Sequence, residues 1–305
     1  MANKFDNLVD NENKTTSSSN DNSSQLGTYQ SLRDKIYTKE EQLDVNAITV
    51  TIPDRQTPIV VFFGSPSSGK TLALLRMIQF FESHNHQVVP EEVFRPKTDD
   101  HYTEMCANLK NLVNDQYTPG GTDIISFMLV KVLDQAGHPV CQILEAPGEH
   151  YFDGSANLNF PTYINAIRTA PNRKVWVFFV EQGWGKDQTE RNLYAQKIRS
   201  MQNLISPNDK VVFLFNKVDK YLSHNQFDSN NRPIISSFFQ NISNQYPGIF
   251  DKYRNSGLLK VLYGPYRFKA VCFSSGTFNE TSGGREVWTR DGDDWYCEEL
   301  WKAIK

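Results

Sequence analysis

Short apolar runs bounded by turn-forming residues recur along the chain, and their length and composition set the first expectations. Ile59-Val60-Val61-Phe62-Phe63 is one, and Val175-Trp176-Val177-Phe178-Phe179-Val180 is another. Such runs are rich in β-branched and aromatic residues, which suit a pleated and buried surface. The pattern predicts strands at 58–63, 124–133, 139–145, 174–181, 210–215 and 268–273. A different period lies between them. Apolar positions in Thr71-Leu72-Ala73-Leu74-Leu75-Arg76-Met77-Ile78 have helical spacing and predict a helix over 70–83. Further helices are expected at about 187–203 and in the C-terminal stretch Trp295-Tyr296-Cys297-Glu298-Glu299-Leu300-Trp301. Strands alternating with helices predict an α/β fold with a mostly parallel central sheet and helices on both faces. The turn Gln135-Ala136-Gly137 would make 124–133 and 139–145 an antiparallel hairpin within that sheet. Ligands of such sheets gather at the carboxyl ends of the strands.

The residues after the first strand carry the most specific chemistry. Gly64-Ser65-Pro66-Ser67-Ser68-Gly69-Lys70-Thr71 reads GxxxxGKT and stands between a predicted strand and a predicted helix, the context a phosphate-binding loop requires. Glycines at both ends let the loop curl until its backbone N–H groups converge, and the following helix adds its positive end. Lys70 then offers a point charge to the outer phosphates, and the Thr71 hydroxyl can ligate Mg²⁺.

A second motif follows the strand Lys210-Val211-Val212-Phe213-Leu214-Phe215. Asn216-Lys217-Val218-Asp219 matches NKxD, and with it the chain resembles the Ras-like (TRAFAC-type) P-loop GTPases, in which this element reads guanine. A carboxylate at a strand end can accept hydrogen bonds from guanine N1–H and the 2-amino group, whereas adenine would leave it unpaired, a penalty on the order of 10⁴-fold. By the same resemblance Asn216 holds the loop and the Lys217 stem packs over the base. Glu145-Ala146-Pro147-Gly148-Glu149-His150-Tyr151-Phe152 resembles the DxPG segment that opens switch II, whose Gly148 N–H would sense the γ-phosphate. Two departures stand out. Glu145 replaces the usual Asp that reaches Mg²⁺, and Glu149 stands where the family carries a water-orienting Gln or His, with His150 one position later. A carboxylate beside a γ-phosphate is repelled unless protonated or paired. Ser274-Ser275-Gly276 resembles the loop that contacts guanine O6, and a switch I threonine onto Mg²⁺ and phosphate is expected at Thr122 or Thr118.

The resemblance therefore implies a Mg²⁺-dependent, GTP- or GDP-binding protein that hydrolyses GTP slowly, at about 10⁻⁴ per second unaided, and acts as a switch on a protein effector or activator. Catalytic roles would fall to Lys70, Thr122, Glu149 and His150. A non-catalytic guanine-nucleotide scaffold is the alternative, kept open by Glu145 and Glu149, and an ATP-using P-loop enzyme is a third reading that requires NKVD to be accidental.

Composition narrows the setting. With a formal charge of −3 over 305 residues there is no broad basic field, so nucleic acid is not expected as a partner. Cys106, Cys141, Cys272 and Cys297 show no CxxC spacing, which suits a reduced, cytoplasmic setting. No apolar run approaches the roughly 20 residues of a transmembrane helix, and neither a secretory h-region nor a myristoylation glycine is present. The polar tract of residues 1–45 cannot bury enough apolar area to order itself, so a disordered or loosely ordered tail is expected there. Residues 46–305 are expected to form one domain, with insertions at about 84–121 and 220–267 that exceed ordinary loops. In the second, Ile234 to Ile242 has helical spacing, and Tyr246, Phe250, Tyr253, Tyr263 and Tyr266 suggest added core.

Overall fold

The computed structural model describes residues 39–114, 127–221, 225–280, 286–289 and 294–305. Its centre is a seven-stranded sheet in the order β2-β3-β4-β1-β5-β6-β7. The strands are β1 (Ile59–Phe63), β2 (Gln87–Pro90), β3 (Met128–Leu133), β4 (Pro139–Glu145), β5 (Lys174–Glu181), β6 (Lys210–Asn216) and β7 (Lys269–Cys272). β1 pairs in parallel with β4 and β5, β5 with β6, and β6 with β7, whereas β3 runs antiparallel to both β4 and β2. This is the mixed α/β arrangement that the alternation of strand and helix patterns predicted, with the hairpin where Gln135-Ala136-Gly137 placed it.

Every residue of β1 and β5 is buried, which requires cover on both faces of the sheet. On one face Phe63, Phe178 and Phe213 are register neighbours across three strands. Tyr253, Phe250 and Phe268 pack against Phe213 at ring centroid distances of 5.4, 4.8 and 4.6 Å. Elsewhere α2 (Lys70–Ser83) meets the C-terminal helix α9 (Trp295–Ile304) through an edge contact of Phe81 with Trp301 at 4.9 Å, and α9 packs on β6 and β7. The remaining helices are α1 (Lys39–Leu43), α3 (Asp100–Asn114), α4 (Gly148–Tyr151), α5 (Thr162–Thr169), α6 (Gln188–Met201), α7 (Ile235–Gln245) and α8 (Gly257–Tyr263). A two-stranded hairpin, β8 (Thr277–Glu280) with β9 (Glu286–Thr289), precedes α9.

The long connections hold structure of their own. The 84–121 insertion supplies β2, which widens the sheet beyond the hairpin, and α3, which packs on α2. Gln87-Val88-Val89-Pro90 does not alternate apolar with polar residues, so β2 had no readable period-2 pattern. The 220–267 insertion supplies α7, where helical spacing predicted it, followed by a turn at Asp251–Tyr253 and α8. At the other end of the chain, residues 39–45 of the expected tail include a helical turn, α1. Glu41 of α1 is buried and takes two hydrogen bonds from Arg95 Nη2, at 2.7 and 2.8 Å. The same guanidinium binds Asp99 Oδ2 at 2.8 Å and the Thr49 carbonyl at 2.8 Å.

Candidate functional site

At the carboxyl end of β1 the chain turns through Gly64 to Gly69 and enters α2 with Lys70. Two left-handed residues make the curl, Ser67 with φ 57° and Gly69 with φ 83°. Gly69 is required twice over. L side chains rarely adopt its φ, and a Cβ there would stand 2.5 Å from Asn216 Nδ2. Lys70 is buried, and its ammonium donates to the carbonyls of Gly64 at 3.3 Å and Ser65 at 3.1 Å, so the side chain lies back along the loop. Burial lowers its pKa, and Lys217 adds to that; the nearby Glu145 and Glu149 carboxylates oppose it.

β4 delivers the next group. Glu145, its last residue, accepts a hydrogen bond from Thr71 Oγ1 at 3.1 Å. Burial pushes its carboxyl up to about 7, with Glu149 adding repulsion and Lys70 and Thr71 pulling it down. Gly148, three residues on, lies directly against the loop, where a Cβ would come within 2.3 Å of Pro66 N. Only glycine permits that approach of the two backbones. Glu149 and His150 follow in the single turn of α4. His150 Nδ1 is hydrogen-bonded to Tyr163 Oη of α5 at 2.6 Å, which directs that ring nitrogen toward α5.

β6 ends in the other specific motif. Asn216 is buried and donates from Nδ2 to the Ser68 carbonyl at 2.7 Å, and Lys217, with φ 56°, donates from Nζ to the Ser67 carbonyl at 2.8 Å. Two side chains, from the last residue of β6 and the residue after it, thus grip the backbone of the glycine loop. Asp219 follows in a short turn, Val218–Tyr221, whose Val218 N–H donates to the Phe273 carbonyl at 3.2 Å. That bond draws the turn to the segment after β7, where Ser274 and Ser275 are buried and Gly276 N–H donates to Ser274 Oγ at 3.2 Å. All four motifs therefore meet at one end of the sheet. Thr118 and Thr122 lie outside the described residues.

Glu181 had no motif to announce it. It closes β5, is buried, and pairs with Lys217 at 2.6 Å and Lys220 at 2.7 Å. Its signal in the sequence was only a carboxylate ending an apolar run, which is too common to single out.

The arrangement also bears on a metal. Among the described residues no group of three or more His, Cys, Asp or Glu side chains could hold an ion. Thr71 Oγ1 and Glu145 Oε2, a buried oxygen with no hydrogen-bond partner, instead make a sparse all-oxygen set. That set fits Mg²⁺, which binds through one or two protein oxygens and completes its octahedron with phosphate and water. Ser68 Oγ and Asn216 Oδ1 are likewise buried without partners around the same loop.

Fold and loop together define a P-loop α/β protein. No protein-family model matches the chain, and no curated protein matches it either. Among solved structures it is similar to a Plasmodium falciparum protein described as nucleolar GTP-binding protein 1, with 16% identity over 74% of this chain and 81% of that one, at a TM-score of 0.36. It is also similar to the GTPase-like domain of S. cerevisiae Ski7 bound to GTP, with 12% identity, 78% and 46% coverage and a TM-score of 0.38. The same domain bound to GDP and inorganic phosphate matches with 12% identity, 88% and 53% coverage and a TM-score of 0.39. The chain spans about half the length of those two Ski7 chains. At such low scores these likenesses carry no functional argument, and the site stands on its own geometry.

Proposed function

We propose that this chain is a Mg²⁺-dependent guanine-nucleotide-binding protein of the Ras-like P-loop class, with slow GTP hydrolysis and a switch role. One observation carries the reading: Asn216 and Lys217 hydrogen-bond to the carbonyls of Ser68 and Ser67, so the NKVD turn and the phosphate loop form one connected surface. A nucleotide on that surface has its phosphates over the amides of residues 65–71 and its base beside Asp219. The Asp219 carboxylate accepts from guanine N1–H and the 2-amino group, and the Ser274-Ser275-Gly276 loop faces O6. Lys70 leaves the two loop carbonyls for the outer phosphates, which replace a neutral acceptor pair by charged ones. Thr71 and Glu145 would hold Mg²⁺, which neutralises charge between the phosphates. In this reading Gly148 carries the state of the last phosphate into α4, and its close approach to Pro66 supports the switch role.

Hydrolysis is slow in this reading because the group at position 149 is a carboxylate and His150 is engaged by Tyr163. The same two facts favour the second reading, a guanine-nucleotide scaffold without turnover. Calorimetry with GTP, ATP and XTP tests the nucleotide. GTP is expected to bind at least a hundredfold more tightly than ATP, and Asp219→Asn to shift the preference to XTP; equal affinity for ATP would overturn the assignment. Single-turnover hydrolysis then separates switch from scaffold. Magnesium-dependent turnover abolished in Lys70→Ala supports the first, and tight binding without turnover the second.

A further inference from the structure

The 220–267 insertion ends in a hairpin that carries α8. Its stem is closed by the bridge between Arg254 and Tyr266, by Asn255 N–H to the Pro265 carbonyl at 2.9 Å and by Arg267 N–H to the Tyr253 carbonyl at 3.0 Å. Asn255 Nδ2 adds a bond to the Gly264 carbonyl at 2.9 Å, and the Arg254 guanidinium lies 5.6 Å from the centroid of the Tyr266 ring. Beyond this pinched base, α8 offers its apolar side chains to solvent. Leu258, Leu259, Val261 and Leu262 are 72%, 54%, 80% and 61% exposed. At about 100° per residue the four fall within roughly 160° of the helix circumference, with Lys260 on the opposite side. Four large apolar side chains exposed together on one helix are not the scattered exposure of an ordinary surface.

Charge indicates what covers them. Residues 252–267 hold Lys252, Arg254, Lys260 and Arg267 and no Asp or Glu, in a chain whose formal charge is −3. All four basic residues are exposed, and Asp251, just outside the segment, pairs with Arg254 at 3.3 Å on the surface. An apolar helical face with one basic residue on its opposite side and three more at its stem matches the interface of an anionic bilayer, where acyl chains receive the apolar residues and headgroups the cations. A protein groove would match the apolar face equally well and would not call for the surrounding positive charge.

We propose that the α8 hairpin is a peripheral contact for an anionic lipid surface. It lies in the plane of the interface and does not span it, since no helix among the described residues is long and apolar enough to cross a membrane. With one short helix the binding is weak and reversible, and it falls as salt screens the basic residues. It does not depend on the nucleotide reading.

The test is sedimentation of the full chain with phosphatidylcholine vesicles, with and without phosphatidylserine, at low and high salt. Binding is expected only to the phosphatidylserine vesicles. Leu258→Ser with Val261→Ser is expected to lower the partition coefficient at least tenfold, and Lys260→Glu severalfold, while thermal melting and nucleotide binding stay those of wild type. These positions are exposed, so the variants fold. No binding to anionic vesicles, or binding that the double variant retains, overturns the proposal. A wild-type dimer in solution that the double variant converts to monomer also overturns it, by assigning the face to a second copy of the chain.

Discussion

Glu145 brings a buried carboxylate to the end of β4. It ends β4 fully enclosed, its Oε1 taken by Thr71 and its Oε2 unpartnered, and burial raises its pKa from 4.5 to about 7. As pH rises between those values, the unfolded chain releases the proton while the folded chain keeps it. Stability therefore falls through this window and stays lower above it. Glu145→Gln removes the ionisation. In denaturant titrations without nucleotide or Mg²⁺, the variant is expected to gain on the order of 2–3 kcal/mol over wild type at pH 8 and almost nothing near pH 4.5. Under the proposed function, the cost is expected in Mg²⁺-supported nucleotide binding, where the charged oxygen would hold the ion. Gly148 makes a second test at this scale. Gly148→Ala places a methyl against the Pro66 and Ser65 backbone, where no flexible side chain can yield. A loss of about 1–3 kcal/mol is expected from the strain, read as a lower melting temperature.

At the scale of elements, what joins α1 to the body of the protein is a buried ion-pair cluster. Arg95 is almost completely enclosed and bridges Glu41 of α1 to Asp99, just before α3. Such a cluster contributes little net stability relative to an apolar replacement, but removing one partner strands the others in a low-dielectric interior. Arg95→Ala leaves two buried carboxylates without their cation. The expected loss is about 3–5 kcal/mol in urea denaturation, accompanied by protease cleavage near residue 43. This pairing was not legible in the sequence. Polarity along 39–45 looks the same whether Glu41 is solvated or paired with a residue 54 positions away. The core strands and α2 were legible because burial on both faces and helical periodicity are written in neighbouring residues, and α2 runs over Lys70–Ser83 as its spacing predicted.

Across the whole molecule, the 220–267 insertion shares the core of the sheet. Phe250 stacks on Phe239 of α7 at 4.4 Å and touches Phe213 of β6 at 4.8 Å, so one aromatic cluster spans insertion and sheet. Phe250→Ala is expected to cost about 3–5 kcal/mol. If the insertion belongs to a single domain, the loss appears as one cooperative transition by both circular dichroism and aromatic fluorescence. Two separated transitions would mark the insertion as an independent unit.

The sequence by itself determined the alternating α/β pattern, the curled loop from Gly64 to Thr71, and the placement of Asn216 and Ser274 at strand ends. These depend on residues close in the chain, where backbone sterics and side-chain period act directly. Tertiary structure decided which of them touch. Asn216 reaches Ser68 across 148 residues, His150 is held by Tyr163, Glu181 joins Lys217 and Lys220, and β2 finds an edge to extend. Contacts of this kind arise when packed strands bring distant side chains within bonding distance, and no local pattern of polarity encodes that distance.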